Sequence, residues 1–333
     1  MPAEHPWTQW HDRLHRTLLR SPELLPDGAP LLLAVSGGQD STALLALLID
    51  LSRLHHWNVM VWHGDHGWHA RSAAIASELG RWCEANSIRM HVERADPEAV
   101  SCEASARNWR YDALERLAHQ EQRDVVSGHT ASDRAETLLL HLARGTDLKG
   151  LSSLRPARPL RQNVPEGPWL RRPLLSFSRA ETLSICTELN VPIWLDPSND
   201  DRSLARNCIR HDVVPVLEKL HPGSSLRMAG LAERLSHVRD IQAELAELVL
   251  QQLECDGVLQ RRQIGALSSK TRRVLLALWL EQQGVPPLDA MQLEQLSGRL
   301  ELGEPGGQSD LPGGWRLSWQ GDALTLQPPA EEH

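Results

Sequence analysis

Residues 31–54 read LLLAVSGGQDSTALLALLIDLSRL. Leu31 to Val35 is a short continuous apolar run of the kind a buried parallel strand makes. From Leu44 the apolar residues fall at 44, 47, 48, 51 and 54, the spacing of one helix face. Between them lie Ser36, Gly37, Gly38, Gln39, Asp40 and Ser41. Two glycines allow a tight turn and a close approach of backbone to a ligand. The helix start behind them offers N–H groups and a positive dipole end, a ready anion site. Serine hydroxyls can donate to phosphate oxygens, and an aspartate beside them is a natural magnesium ligand. A plain strand–turn–helix connection would need only the glycines. The loop contains no Gly-Lys-Ser/Thr, so it is not a Walker A motif.

Working outward, strands and helices alternate. A helix is expected over residues 8–19, before the loop. Beyond it come a strand at 58–62, a helix at 72–85, a strand at 88–92 and a helix at 102–117. A short strand ends at Ser127, and Ala131 to Leu142 is helical. Such alternation is the signature of right-handed βαβ units on a parallel sheet with helices on both faces. Ligands in such sheets sit at the carboxyl ends of the strands. From Pro222 the character changes: helical periodicity spans 227–253, 271–282 and 289–300, and two short strands flank Gln320-Gly321-Asp322. The expected architecture is therefore α/β. A catalytic domain with a basic insert covers residues 1–220. A small, mostly helical domain ending in a hairpin covers 221–333.

At 333 residues, 41% apolar and 23% charged, the composition is that of a chain with substantial cores. No 18-residue apolar run and no basic-then-apolar leader occur, so neither a membrane span nor a secretory signal is expected. The five cysteines are scattered without a CxxC pair, which argues against a zinc ribbon, a disulfide framework or a cysteine-held iron–sulfur cluster. Buried thiols in a reducing, cytoplasmic setting are the expectation. The net charge of −8 argues against nucleic acid until it is divided. Residues 144–179 carry 8 Lys+Arg against 2 Asp+Glu, whereas residues 1–143 carry 13 against 19. That basic stretch fits either a solvated arginine-rich loop or a polyanion contact.

Three further stretches fall at strand ends. His63-Gly64-Asp65-His66-Gly67 reads as a metal cluster or as a polar turn. Arg107 and Arg110 lie on adjacent turns of one helix, as surface charge or as a phosphate clamp. In Gly128-His129-Thr130-Ala131-Ser132-Asp133-Arg134-Ala135-Glu136, Asp133 and Glu136 share one helix face near its N-terminus. They either favour the helix dipole or form a pocket for a cationic amine.

SGGQDS resembles the SGGxDS pyrophosphate loop of the PP-loop ATP pyrophosphatases. Together with DHGW, ExxARxxRY, GHxxxDxxET, RGTDLKGL, RRPLL (171–175) and WLDPSNDDRSLARNCIR (194–210), it resembles the tRNA(Ile)-lysidine synthetases. The likeness covers roughly 31–221 well and the last third loosely. Two positions depart from the pattern: Ser132 replaces the first of two usual aspartates, and His69 stands where an arginine is common.

The resemblance implies ATP-dependent ligation of L-lysine to C2 of the wobble cytidine of a tRNA(Ile) with a CAU anticodon. The C2 oxygen is adenylated first, pyrophosphate departs, and the lysine amine then displaces AMP. It implies that Ser36, Gly37, Gly38, Gln39, Asp40 and Ser41 hold ATP, with Mg2+ on Asp40. Arg107 and His129 would stabilise phosphate charge, and Asp133 and Glu136 would bind lysine. Arg206, Asn207 and Arg210 would bind substrate, and Arg155, Arg158 and Arg161 of the basic insert would contact tRNA. Oligomeric state stays open, a homodimer included. Two rivals remain: a PP-loop tRNA thiolase, which would need paired thiols, and a non-catalytic nucleotide sensor, which would need neither the acidic pair nor the basic insert.

Overall fold

The computed structural model describes residues 5–68, 71–96, 98–100, 102–161, 164, 166–194, 201–202, 204–255 and 258–329. His69 and the stretch 195–200 of the WLDPSND motif lie outside the described residues.

Thr8 caps α1 (Gln9–Arg20) through its side chain. The apolar run becomes β1 (Pro30–Ala34) and the polar loop feeds α2 (Gln39–His55). There follow β2 (Asn58–Asp65), α3 (Ser72–Ala85), β3 (Arg89–Arg94), α4 (Glu103–Glu121), β4 (Asp124–Ser127) and α5 (Ala131–Arg144). The sheet runs β3-β2-β1-β4 and continues through β6 (Trp169–Arg171) to β5 (Ala157–Pro159). Every pairing is parallel except the edge pair β5–β6. Strand order reverses between β1 and β4, so a crevice opens at their carboxyl ends.

Successive β1 side chains enter different cores, as period-2 geometry requires. Leu31 and Leu33 join residues of α1, α2 and α3 and of α7 (Arg179–Glu188), while Leu32 packs with Trp62, Leu114 and Leu117 on the α4 side. Apolar spacing alone predicts a single buried face for α2. In the structure Ala43 to Leu48 are all inaccessible and only Leu54 is half exposed, because α1 and α7 cover the side away from the sheet. The strand after the loop is also longer than expected, so His63, Gly64 and Asp65 end β2 rather than forming a turn.

The prolines of the basic insert predict a segment that is largely loop. It contains a helical turn α6 (Leu148–Leu151), and its β5 pairs antiparallel with β6, Ala157 opposite Arg171. Pro159 sits in the edge strand, where a missing N–H costs no ladder bond. After α7 come α8 (Ala205–Cys208), a π-helical turn at Ile209–Val213, α9 (Val214–Leu220) and the long α10 (Ser224–Leu253).

The chain divides into two compact units, 1–236 and 237–333, where the change in sequence character predicts a boundary at 220/221. Within the second unit, α11 (Arg261–Gly265), α12 (Ser269–Gln282) and α13 (Ala290–Arg299) share a core with a sheet. That sheet has five antiparallel strands, β7 (Glu254–Cys255), β8 (Val258–Gln260), β9 (Gly307–Asp310), β10 (Arg316–Gln320) and β11 (Ala323–Gln327), in the order β7-β8-β11-β10-β9. The hairpin read around Gly321 is its β10–β11 pair; the other three strands are too short to show period-2 alternation. Among the described residues no helix is long and apolar enough to cross a membrane.

Candidate active site

A cleft of about 380 Å³ opens at the carboxyl ends of β1, β2 and β4. Its lining includes Ser36, Gly38, Asp40, Ser41, Arg107, His129, Asp133, Arg206 and Arg210. A second, more open hollow between Leu217 and Met228 contains none of the motif residues.

The loop is built from backbone and hydroxyls. Gly37 takes φ +89°, a left-handed value that a side chain would strain, and a Cβ there would stand 3.1 Å from Trp194 Cβ. Gly38 occupies the N-cap of α2 without a side-chain cap, so the helix start is not closed by a residue of its own. Ser41 Oγ donates to Gly38 O at 2.9 Å, and Ser36 N–H donates to Ser41 Oγ at 3.2 Å, folding the loop on itself. Gly128, at the end of β4, lies against this turn. A Cβ there would be 2.8 Å from both Ser41 Cα and Ser41 N, so only glycine lets the end of β4 approach the first turn of α2.

Two loop residues reach α7. Gln39 Nε2 donates to Arg179 O at 2.5 Å and to Thr182 Oγ1 at 3.1 Å, so its side chain fastens α7 rather than projecting free. Asp40 accepts from Arg179 Nη1 at 2.8 Å and from Thr182 Oγ1 at 2.5 Å. Burial, reinforced by the nearby Asp133 carboxylate, pushes the Asp40 carboxyl up to about 6 despite the opposing pull of Arg179. A carboxylate with that surplus of negative charge fits a divalent cation. Among the described residues no three His, Cys, Asp or Glu side chains converge as a metal site. A magnesium ion on Asp40 would therefore complete its shell with phosphate oxygens and water, as Mg2+ commonly does.

The acidic pair is already engaged. Thr130 caps α5, and Asp133 Oδ2 accepts from Thr130 N–H at 2.8 Å and Oγ1 at 2.9 Å. Its Oδ1 accepts from Arg206 at 2.8 Å and Arg210 at 3.4 Å. Glu136 accepts from Arg206 Nε at 3.0 Å and from Arg210 Nε at 2.7 Å and Nη2 at 2.9 Å. Burial opposes charge on Asp133, yet Arg206, His129 and Arg210 together hold its carboxyl below the usual range. Asn207 lies in the same wall, its Nδ2 donating to Asp201 O at 2.9 Å. Ser132, the departure from the family pattern, accepts the Arg179 N–H at 3.0 Å and ties α5 to α7.

His129 Nδ1 lies 2.8 Å from Ser127 Oγ. Burial and then Arg172 lower its pKa, so the ring is neutral at pH 7. In the tautomer in which Ser127 donates to Nδ1, the Nε2–H is left to donate. Arg107 stands over the ring of Tyr111, the chain's single tyrosine, at 5.0 Å. Burial opposes ionisation of that phenol, but Arg107, Arg172 and Arg158 outweigh it and lower its pKa. Arg110 donates toward His66 Nε2 at 3.0 Å.

The basic insert is less basic than its count. Arg161 pairs with Asp112 and with Glu115, the latter at 2.8 Å. Arg171 is buried on Asp124 at 2.7 Å. Arg172, 2% exposed, donates to Arg155 O at 2.8 Å. Arg179 holds Asp40. Arg158, half-buried, donates to the carbonyls of Pro159 and Leu160 at 2.7 Å.

The PP-loop domain family matches residues 12–217. A tRNA(Ile)-lysidine synthase of Parasynechococcus marenigrum (strain WH8102) is 59% identical over 332 residues, 100% of this chain and 98% of the relative. This chain belongs to the tRNA(Ile)-lysidine synthase family. A second family member, from Prochlorococcus marinus, is 44% identical over 97% of this chain and 98% of its own. A solved structure of the U34-tRNA thiolase NcsA from Methanococcus maripaludis, with its [4Fe-4S] cluster, superposes with a TM-score of 0.57. At 19% identity over 70% of this chain and 85% of that one, the likeness is one of fold.

The remaining residues of this family site differ in how far the sequence signals them. Thr130 is signalled by its Thr-x-x-Asp spacing, a capping box. Gly128 stands out only as part of a motif, and Thr182 and Trp194 carry no local signal. Arg179 counts with the insert by position, though it belongs to the Asp40 cluster.

Proposed function

We propose that this chain uses ATP to adenylate the C2 oxygen of the wobble cytidine of a tRNA(Ile) with a CAU anticodon and then joins L-lysine to C2. The carrying observation is the meeting, in one cleft, of a pyrophosphate-shaped loop and Asp133, whose helix neighbour Glu136 shares its arginines, in a chain of this family. Ser36, Gly37, Gly38 and Ser41 receive the departing pyrophosphate through N–H and O–H donors. Asp40 would hold Mg2+, which would supply neutralisation of phosphate charge there. His129 donates its Nε2–H and Arg107 its guanidinium to negative charge developing on the α-phosphate. Asp133 and Glu136 receive the lysine ammonium. That amine has an ordinary pKa near 10.4, so it must lose a proton before attacking C2. AMP leaves as the C–N bond forms.

Arg206, Asn207, Arg210, Arg155 and Arg158 approach the tRNA, and the second unit carries part of the tRNA body. Such a substrate implies a cytoplasmic setting. Sulfur transfer is the weaker reading. All five cysteines are free: Cys83 and Cys186 are buried, their thiols pushed up to about 11 and about 12, whereas Cys102, Cys208 and Cys255 are exposed, against the expectation of buried thiols, and form no CxxC pair. Incubation with ATP and bulk tRNA, with and without lysine, tests the proposal. AMP and a lysine-bearing tRNA are expected only when all three are present. Turnover that ignores lysine would overturn it.

A further inference from the structure

All four oxygens of the acidic pair are taken by the chain itself: Thr130 holds Asp133 Oδ2, and Arg206 and Arg210 hold the other three. Two carboxylates are balanced by two guanidinium groups. An arriving ammonium meets oxygens already engaged and no surplus negative charge.

The two arginines sit on chain with a second arrangement within reach. Arg206 lies in the four-residue α8, and Arg210 in the π-helical turn Ile209–Val213 that follows. A π turn carries one residue more than an α turn. Its conversion to α shifts the register by one residue, roughly 100° about the helix axis. Both arginines also line the cleft that contains Ser36, Gly38 and Ser41. A polyphosphate bound there offers each guanidinium a bidentate anionic partner at least as good as a carboxylate.

We propose that Arg206 and Arg210 are positioning residues that occupy the lysine site until phosphate draws them away, so that lysine binds after the polyanion. The idea rests on the assignment of Asp133 and Glu136 to lysine. Its consequence is order: the amine is admitted only when a phosphate group stands in the cleft. The phosphate can come from ATP or from the tRNA backbone, and the test separates them.

Equilibrium dialysis of radiolabelled L-lysine against the full chain provides that test, in four arms: protein alone, with a non-hydrolysable ATP analogue and Mg2+, with unmodified tRNA, and with both. Lysine affinity is expected to be at least tenfold weaker for the protein alone than in an arm with a phosphate donor. The arm that restores it names the source. Arg206→Gln and Arg210→Gln keep a donor but lose the charge. Each is expected to bind lysine without any polyanion, a gain that a merely structural arginine would not give. Equal lysine affinity in all four arms overturns the proposal. So does the absence of that gain in Gln variants that still bind the ATP analogue. Asp133→Asn and Glu136→Gln, dialysed with both polyanions, test the underlying assignment. If they bind lysine normally, the pocket is elsewhere; if they lose it while the native protein alone binds fully, only the ordering fails.

Discussion

The pyrophosphate loop and Asp133 line the same cleft, with Glu136 buried beside Asp133 on the same arginines, yet loop and acidic pair are made differently. The loop is shaped by backbone: a left-handed Gly37, an open helix start at Gly38, and two serines bonded within six residues of chain. Asp133 and Glu136 are defined by partners about 70 residues away, Arg206 and Arg210. A site formed from local backbone is carried by its own sequence. A site formed from opposite charges depends on which cations the fold brings to it. The two regions should therefore fail differently when altered.

The largest effect is expected at Asp40. Asp40→Asn removes the magnesium ligand, and AMP release should fall on the order of a thousandfold with tRNA binding retained. Filter binding and thin-layer assay of AMP read the two separately. Full lysine-dependent turnover would remove Asp40 from the chemistry and leave the loop as plain connection.

Gly128→Ala comes next. Its Cβ would meet Ser41 backbone at 2.8 Å, and backbone cannot swing aside as a flexible side chain can. The loop must shift, and misplacement by about 1 Å costs about a hundredfold in rate. Unchanged kcat would show that the loop tolerates movement and is less sharply defined than its hydrogen bonds imply.

At the acidic pair a smaller and different loss is expected. Asp133→Asn or Glu136→Gln removes a charged hydrogen bond of about 1.5–3 kcal/mol, which corresponds to at least about tenfold in lysine KM. Adenylation, followed as pyrophosphate release, should suffer less. If both variants keep the normal dependence on lysine, the pair serves only to hold Arg206 and Arg210.

Acidity distinguishes the regions again. The Asp40 carboxyl, pushed up to about 6, takes up a proton as pH falls through that value, whereas Asp133 is held ionised by its arginines. Magnesium demand should rise about tenfold for each pH unit below 6. Stability moves the other way at this residue. Its folded pKa exceeds the ordinary 3.8, so ionised Asp40 costs the fold, and that cost is relieved progressively as pH falls from about 6 to 3.8. Titration of Mg2+ dependence at pH 5, 6 and 7 checks the first point.

Much of this was legible in the sequence. β1, the glycine loop and the α2 entry follow from residues 31–41, and the Thr130 cap from its spacing to Asp133. The pairing of Arg206 and Arg210 with acids on α5 was not legible, because a sequence counts charges without matching them. The same limit explains why α2 reads as one-faced: the cover from α1 and α7 is tertiary, and only the fold supplies it.

That limit is tested most finely in the basic insert, where the smallest effects are expected. By count alone Arg155, Arg158 and Arg161 are equal candidates for tRNA phosphate. The fold makes them unequal. Arg161 is neutralised by Asp112 and Glu115, whereas Arg158 is half-buried and meets neutral carbonyls and the ring and hydroxyl of Tyr111, with no carboxylate among its described contacts. A phosphate contact releases counterions, so each one lost flattens the log–log salt dependence of binding by about one unit or slightly less. Arg158→Gln should flatten that slope and weaken tRNA binding by a few fold, with ATP binding intact. Arg161→Gln should leave the slope unchanged and instead lower the melting temperature by a degree or two, since a partly exposed pair contributes about 1 kcal/mol or less. Filter binding across a salt series, with melting curves beside it, separates the two. An equal loss of slope from both variants would mean that tRNA breaks the Arg161 pairs on binding, and that a charge matched within the fold is still available to RNA.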